Sequence, residues 1–522
     1  MNSVEKTRIA IMDTTLRDGE QTPNVAYTPL EKLQVAKFEL VQLGVDRVEI
    51  ASSRVSAGEL EGARLITSWA RENGVLDRVE MLGFVDDGRS VEWILSAGGR
   101  AMNLLTKGSE RHCRTQLQMP PSAHLAAIRR IVGLAHDAGC LVNVYLEDWS
   151  NGIADSFEYV VDSVELLREL GIRRIYLSDT LGVLTPELVS EYVGKMCARW
   201  PDQTFEFHGH NDYGLGTVNC LASLAAGAAG VHTSINGLGE RAGNASLSEV
   251  VVAIHDHTPF CTGVQETALL SASRLIETFS GKRVAANAPV VGHDVFTQTA
   301  GIHADGDAKG NLYMNRLDPR RFGREREYAL GKMAGKASLE QNLKRIGIDL
   351  PESERNLVLK RITELGDKKH VVEPDDLPFI IADVLQHPPV QTVRIVAYHV
   401  ALRHDTLPNA EVTVRWGQNC GTERASGAGG YDAVMSAVRA FAQTLSFELP
   451  ALIDYQVRIP PGGRTEALVE TIVSWRKPDG RTFSTRGVDS DQLAAAIIAT
   501  EKMLNIVVTD AQKPPSSGGS VE

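Results

Sequence analysis

Short apolar runs recur through the first half of the chain, each followed by a longer stretch of helical period. Eight runs read as strands: Arg8 to Met12, Val45 to Ile50, Val79 to Val85, Ala101 to Thr106, Leu141 to Glu147, Arg174 to Asp179, Thr204 to His208 and Gly230 to Ile235. Between them, apolar residues return every three or four positions, as on one face of a helix. The clearest helix follows the first strand. Thr28-Pro29-Leu30-Glu31 supplies a capping residue, a proline at the first helical position and a glutamate at the third. Leu33, Ala36, Leu40 and Leu43 make its apolar stripe, and Gly44 ends it. Strand–helix alternation of this kind within about 250 residues predicts a (β/α)8 TIM barrel. A doubly wound open sheet is the alternative. The number of units favours the barrel, as does the lack of a glycine-rich dinucleotide turn after the first strand.

From about Gly281 to His387 strand signals become rare, and helices such as Leu339 to Ile346 and Glu352 to Leu365 dominate. One polar, glycine-bearing run, Thr299 to Asp307, reads as a loop carrying His303, with Asn311-Leu312-Tyr313 just beyond it. From about Pro389 the pattern becomes ββαββα, with strands at Val393 to Val400, Ala410 to Trp416, Ile453 to Ile459 and Leu468 to Trp475, and helices at Tyr431 to Leu445 and Asp489 to Leu504. The expected organisation is a catalytic barrel over 1–280, helical linker subdomains over 281–388, an α+β domain over 389–509 and a disordered Pro/Ser/Gly-rich tail over 510–522.

Composition narrows the class. A chain of 522 residues is too long for one small core. Its net charge of -12 argues against a general nucleic-acid or membrane-surface role. No apolar run approaches the ~20 residues of a membrane span, and the first residues lack a signal peptide's apolar core. Six scattered cysteines without a CxxC fit reduced thiols in a cytoplasm.

The candidate chemistry centres on Phe205-Glu206-Phe207-His208-Gly209-His210-Asn211-Asp212. In a strand, His208 and His210 project to the same side, and neutral imidazoles bind divalent metals. A third ligand is needed, and the best candidate is Asp18, within Asp13-Thr14-Thr15-Leu16-Arg17-Asp18-Gly19-Glu20-Gln21. A barrel places its site at the C-terminal ends of the strands. There Arg17, Asp18, Tyr145, Glu147, Asp179, Thr180, His208, His210 and Asn236 converge. The glycine-rich Asn236 to Asn244 is not a P-loop, but its glycines let backbone approach closely, so Asn244 can reach the metal region. A metal held in this way chelates a 2-oxo acid and acts as Lewis acid on its ketone. Arg17 can then neutralise the developing alkoxide, and Glu147 or His303 can serve as the base. Residue chemistry alone leaves condensation and the reverse, lyase-type cleavage both open.

The runs Asp13 to Gln21, His208 to Asp212 and Asn236 to Asn244 together resemble the DRE-TIM metallolyases, over about residues 7 to 508. Within that family the chain is similar to the 2-isopropylmalate, citramalate and homocitrate synthases. Tyr145-Leu146-Glu147-Asp148-Trp149-Ser150-Asn151-Gly152 looks like the bacterial citramalate synthases. The resemblance implies metal ligands Asp18, His208 and His210 with Asn244 as a frequent extra, the ion being Mg, Mn or Zn. It implies an oxo-acid site of Arg17, Leu82, Phe84, Leu105, Tyr145 and Thr180, and proton handling by Glu147 and His303 assisted by Tyr313. Asn311 and Leu312 would lie near the coenzyme A entry. The implied reaction condenses acetyl-CoA with pyruvate to citramalate and CoA, with 2-oxoisovalerate giving 2-isopropylmalate as the alternative. A homodimer is implied as well. The C-terminal domain is expected to bind an amino-acid end product, isoleucine favoured, around Tyr431, Asp432, Leu452 and Tyr455.

Overall fold

A computed structural model describes residues 6–346, 348–367, 372, 374–385, 393–458 and 469–512. The chain divides into two compact units, Met1–Thr297 with Met314–Arg326, and Gln298–Tyr313 with Glu327–Glu522.

In the first unit eight parallel strands close into a barrel. They are β1 (Ala10–Asp13), β2 (Arg47–Ser52), β3 (Val79–Phe84), β4 (Ala101–Lys107), β5 (Leu141–Glu147), β6 (Arg174–Asp179), β7 (Thr204–Gly209) and β8 (Gly230–Thr233). Closure comes from β1 and β8, paired from Ala10 with Gly230 to Asp13 with Thr233. The first strand differs from its sequence reading: Thr7–Arg8 leaves the barrel and pairs instead with Phe260–Cys261. The helix Pro29–Lys37 carries the expected capping box at Thr28 and Glu31. Its last part, Phe38–Leu43, widens into π-helical turns and stops at Gly44, whose φ of 79° is left-handed.

Alternation decides what each strand face carries. Ile11, Val48, Ile50, Met81, Leu104, Val144, Ile175 and Phe205 point outward into the main core under the helices. The opposite parity fills the barrel with polar groups: Arg47, Glu49, Glu80, Asn103, Asn143, Glu206 and His232 are all buried. Met12, Leu82, Tyr145 and Tyr176 form a small separate apolar cluster, with Phe84 and Leu105 packed against it.

In the second unit the helices Lys336–Ile346 and Glu352–Asp367 pack through Leu339, Leu343, Val358 and Ile362. Beyond them lie two antiparallel three-stranded sheets. One is β9 (Val393–Arg403), β10 (Thr406–Trp416) and β11 (Asn419–Ser426); the other is β12 (Ala451–Arg458), β13 (Val469–Arg476) and β14 (Thr482–Asp489). With the helices Gly430–Thr444 and Gln492–Gln512, the plan is βββα twice rather than ββαββα. The strand that sequence reading missed in the first half, β11, is polar and alternates only between exposed and half-buried positions, so it lacks an apolar signature. Val412, Val438, Phe441, Trp475 and Leu504 share the core of this part. The expected start of the domain at 389 and most of the expected tail fall outside the described residues.

Candidate active site

Asp18, His208 and His210 meet at the C-terminal end of the barrel, each with a ligand atom within 4.8 Å of the others. Asp18 lies just past β1, where the Thr14 carbonyl accepts three successive backbone N–H groups, from Arg17, Asp18 and Gly19. Asp18 Oδ2 is 3.3 Å from His208 Nε2 and 3.8 Å from His210 Nε2. Two donors each about 2.1 Å from one ion can be no more than about 4.2 Å apart, so both separations suit a shared cation. Burial by itself would raise the Asp18 carboxyl, but Arg17 and the two histidines hold it well below the usual carboxylate range. Burial and the neighbouring His208 push His210 down to about 4, against the pull of Asp18. An ionised carboxylate beside a neutral imidazole is the protonation state that a divalent metal requires. Asn244, bridged to His210 across the loop, donates its amide N–H to Asp18 at 3.1 Å, and its own Oδ1 is buried without a partner. A carboxylate, two imidazoles and a spare amide oxygen fit a divalent cation. The loop needs its glycines for this approach: a Cβ on Gly239 would lie 2.5 Å from the Asn244 amide nitrogen, and one on Gly243 would lie 1.9 Å from the Gly237 carbonyl.

Arg17 is nearly buried and held from two sides. Its Nε donates to Glu49 at 2.5 Å and its Nη2 to the Tyr145 hydroxyl at 3.3 Å, with Asp18 at 3.5 Å from Nη1. Burial alone would weaken its charge, but Glu49 and Asp18 keep the guanidinium firmly protonated. Glu49, which sequence reading did not single out, also accepts from Asn103 at 2.8 Å. From Tyr145 the network runs down the barrel to His232 at 3.2 Å, then Glu206 at 3.1 Å, then Arg47 at 2.5 Å. Burial pushes His232 down to about 4, while Glu206, despite burial, is held at about 2 by Arg47 and His232. The signal that could have found this network is parity: Glu49 and Arg47 share a strand face with each other and not with Val48 and Ile50.

The other residues expected at the mouth fall into two groups. Leu82, Phe84, Leu105 and Tyr145 do line one apolar cluster, and the Tyr145 ring is 5.6 Å from that of His208. Glu147 ends β5 and is ion-paired with Lys107, a residue that sequence reading missed. Thr180 Oγ accepts from the Asp148 amide at 2.8 Å. Asp179 and Asn236 do local structural work instead. Asp179 accepts the Val183 and Leu184 amides at 3.0 and 3.1 Å, and Asn236 donates to the Ser273 carbonyl at 3.0 Å.

In the second unit, the segment expected as a loop is the helix Gly301–Gly310, with His303 in its first turn. The His303 and Tyr313 ring centroids lie 4.1 Å apart with the rings tilted by 30°. Asn311 takes the left-handed position that ends the helix, and Leu312 is exposed. Farther along, Tyr431 meets the Tyr455 ring at 5.0 Å and its hydroxyl is 2.7 Å from that of Thr500. Asp432 accepts the Ala428 amide at 2.8 Å, and Leu452 is partly exposed on β12.

The HMGL-like family model matches residues 8–276, and the chain belongs to that family of enzymes. A model of the homocitrate synthase post-HMGL domain matches residues 290–370, and the LeuA allosteric (dimerisation) domain matches 371–508. A Methanopyrus kandleri protein provisionally named (R)-citramalate synthase is 34% identical over 491 residues, covering 94% of each chain. A second protein of that organism, provisionally named 2-isopropylmalate synthase, is 32% identical and covers 95% of this chain and 98% of its own. The (R)-citramalate synthase of Methanocaldococcus jannaschii is 31% identical, covering 96% and 99%. Among the described residues, no helix is long and apolar enough to cross a membrane.

Proposed function

We propose that the protein catalyses a metal-dependent Claisen-type condensation of acetyl-CoA with pyruvate, giving citramalate and CoA. The observation that carries this reading is the Asp18–His208–His210 cluster with Arg17 beside it and the Leu82–Tyr145 pocket against His208. Asp18, His208 and His210, with Asn244 as a further ligand, would hold a divalent cation, which would supply Lewis acidity to the ketone. Arg17, fixed by Glu49 and Tyr145, stabilises the negative charge that grows on the ketone oxygen. Thr180 helps to hold the oxo acid. Glu147 removes a methyl proton from the acetyl thioester; His303 is the other candidate base, with Tyr313 assisting. The new carbon–carbon bond leaves a thioester, which water cleaves to citramalate and CoA. Asn311 and Leu312 are assigned to coenzyme A.

Pyruvate is the preferred oxo acid in this reading because Leu82, Phe84, Leu105 and Tyr145 are all bulky and pack in one apolar cluster, a wall expected to accept a methyl but not an isopropyl group. The second reading is 2-isopropylmalate synthesis from 2-oxoisovalerate. It is kept open because identities of 34% and 32% to differently named relatives do not separate the two. The match to the LeuA allosteric (dimerisation) domain supports a homodimer; to that domain we assign a regulatory site for an end product, isoleucine favoured, near Tyr431, Asp432, Leu452 and Tyr455. Release of free CoA from acetyl-CoA, measured over several oxo acids with and without added metal, tests the whole reading. Failure of every oxo acid to release CoA rejects it.

A further inference from the structure

The inward residues of β4 and β5 pair across the strands in three layers. Asn103 faces Asn143, Leu105 faces Tyr145, and Lys107 faces Glu147. The lowest layer is an amide pair, in which Asn143 donates to Asn103 at 3.0 Å. The middle layer belongs to the apolar cluster. The top layer is the Lys107–Glu147 ion pair, with side chains 11% and 22% exposed. At a rise of about 3.3 Å per residue, it stands about 7 Å nearer the mouth than the pocket wall.

The pair is held in place. The Lys107 carbonyl accepts the Tyr159 hydroxyl at 3.0 Å, and the Gly108 amide donates to the Glu147 carbonyl at 2.6 Å. Gly152 sits so close to this corner that a Cβ would lie 1.9 Å from the Gly108 carbonyl. A lysine withdrawn from water on a fixed strand end adds little stability: an apolar pair of similar volume does at least as well in a buried position. Its position is what distinguishes it, directly above the residues that bound the oxo-acid pocket.

We propose that Lys107 is a further catalytic residue whose ammonium donates a hydrogen bond to the enolate oxygen that forms when Glu147 deprotonates the acetyl thioester. The proposal rests on the condensation reading above. Glu147 takes the methyl proton and becomes neutral. The C–H electron pair moves into the carbon–carbon bond of the enolate, and the thioester carbonyl π electrons move onto oxygen. The enolate carbon then attacks the ketone, whose π electrons pass to its own oxygen beside Arg17. The negative charge leaves the Glu147 carboxylate and arises on the thioester oxygen, while Lys107 keeps its proton throughout. A fixed ammonium beside both positions serves each in turn without reorganisation.

Full-length Lys107→Met, Lys107→Ala and Lys107→Arg, assayed beside the unaltered enzyme, test this. Two reactions are followed: CoA release, and deuterium exchange into the methyl group of acetyl-CoA. Lys107→Met is expected to lose kcat and exchange together by about a hundredfold to a thousandfold, with the oxo-acid KM little changed and Tm lowered without loss of the fold, because Glu147 loses its partner but keeps some contact with water. Lys107→Arg should retain more of both, and added ethylammonium should partly restore Lys107→Ala. Near-normal turnover in Lys107→Met overturns the proposal, as does a collapse of Tm in all three variants, which would make the pair structural. If the unaltered enzyme releases no CoA with any oxo acid, the synthase reading itself falls. That outcome is distinct from a working enzyme indifferent to Lys107.

Discussion

Leu82→Ala reads the pocket directly. Leu82 is 3% exposed and packs with Met12, Tyr145 and Tyr176, with Phe84 and Leu105 alongside. 2-Oxoisovalerate carries two methyl groups more than pyruvate at the carbon next to the ketone. In a pocket closed on a single methyl, that bulk costs about 1–3 kcal/mol, or about tenfold to more than a hundredfold in kcat/KM. Alanine removes three carbons, enough to admit the extra pair. The variant's kcat/KM on 2-oxoisovalerate should therefore rise at least about tenfold. Its pyruvate value should fall severalfold, at about 0.8 kcal/mol for each methylene that no longer packs against the substrate. With the side chain bordering substrate space, as proposed, the stability loss should sit near the lower end of the ~2–5 kcal/mol range for buried leucine. Steady-state thiol release on both oxo acids, with Tm measured in parallel, gives all three quantities. Equal use of both substrates by the unaltered enzyme would refute pyruvate preference. An unmoved substrate ratio in a folded Leu82→Ala protein would remove Leu82 from the pocket.

Four further outcomes are expected. Chelation should abolish turnover, and His210→Ala should stay inactive at metal levels that saturate the unaltered enzyme, as read by equilibrium metal binding and CoA release; full activity without metal would end the proposed mechanism. Acid should destabilise the barrel: burial lowers both His124 and His232 to about 4, so between their ordinary 6.5 and that value only the unfolded chain takes up these protons. Stability is then fully present above pH 6.5 and is lost as pH falls through that window; Tm measured across it should show the slope, and His124→Gln should flatten it. Lys32→Met should cost about 3–5 kcal/mol by urea titration, because buried Lys32 holds Glu20 at 2.6 Å, Glu59, and the Leu16 and Ile50 carbonyls at 3.1 and 3.3 Å. The loop that Leu16 begins carries Asp18, so metal affinity in that variant should weaken about 10–100-fold. Finally, calorimetric titration with isoleucine, leucine and valine, paired with inhibition assays, should give heat and inhibition with isoleucine first; silence from all three leaves the C-terminal domain with dimerisation alone.

The barrel was legible because its strands announce themselves on the outward face. Val48 and Ile50, or Ile175 and Leu177, pack under helices and must be apolar wherever the chain forms a closed parallel sheet. The inward face was harder to read. Arg47 and Glu49 alternate with those apolar residues, a pattern that on a single strand looks like a solvent-facing edge. Only closure of the sheet turns that face into an interior. His208, His210 and Asp18 were legible because two imidazoles at i and i+2 need little context. Lys107 was not, since one lysine at a strand end carries no signal until its cross-strand partner is known to be Glu147. The helix at Gly301–Gly310 read as a loop because its two terminal glycines, Gly306 and its acidic residues mask the helical period.

The polar interior is costly unless every member is paired, and an apolar filling could give similar stability. What the network supplies is direction. Arg47 holds Glu206, Glu206 faces His232, His232 faces Tyr145, and Tyr145 with Glu49 holds Arg17. Each link is within hydrogen-bond distance, and each group has at least two neighbours, so no side chain can swing without leaving another unpaired. Arg17 is thus held from below by the barrel while Asp18, the next residue in the same loop, lies 3.5 Å from its Nη1. In the proposed reaction, a guanidinium fixed in this way would not need to reorganise as charge develops on the ketone oxygen, which is the condition for electrostatic stabilisation to lower a barrier rather than merely bind substrate. The chain therefore spends its least designable region, the inside of the barrel, on orienting one cation.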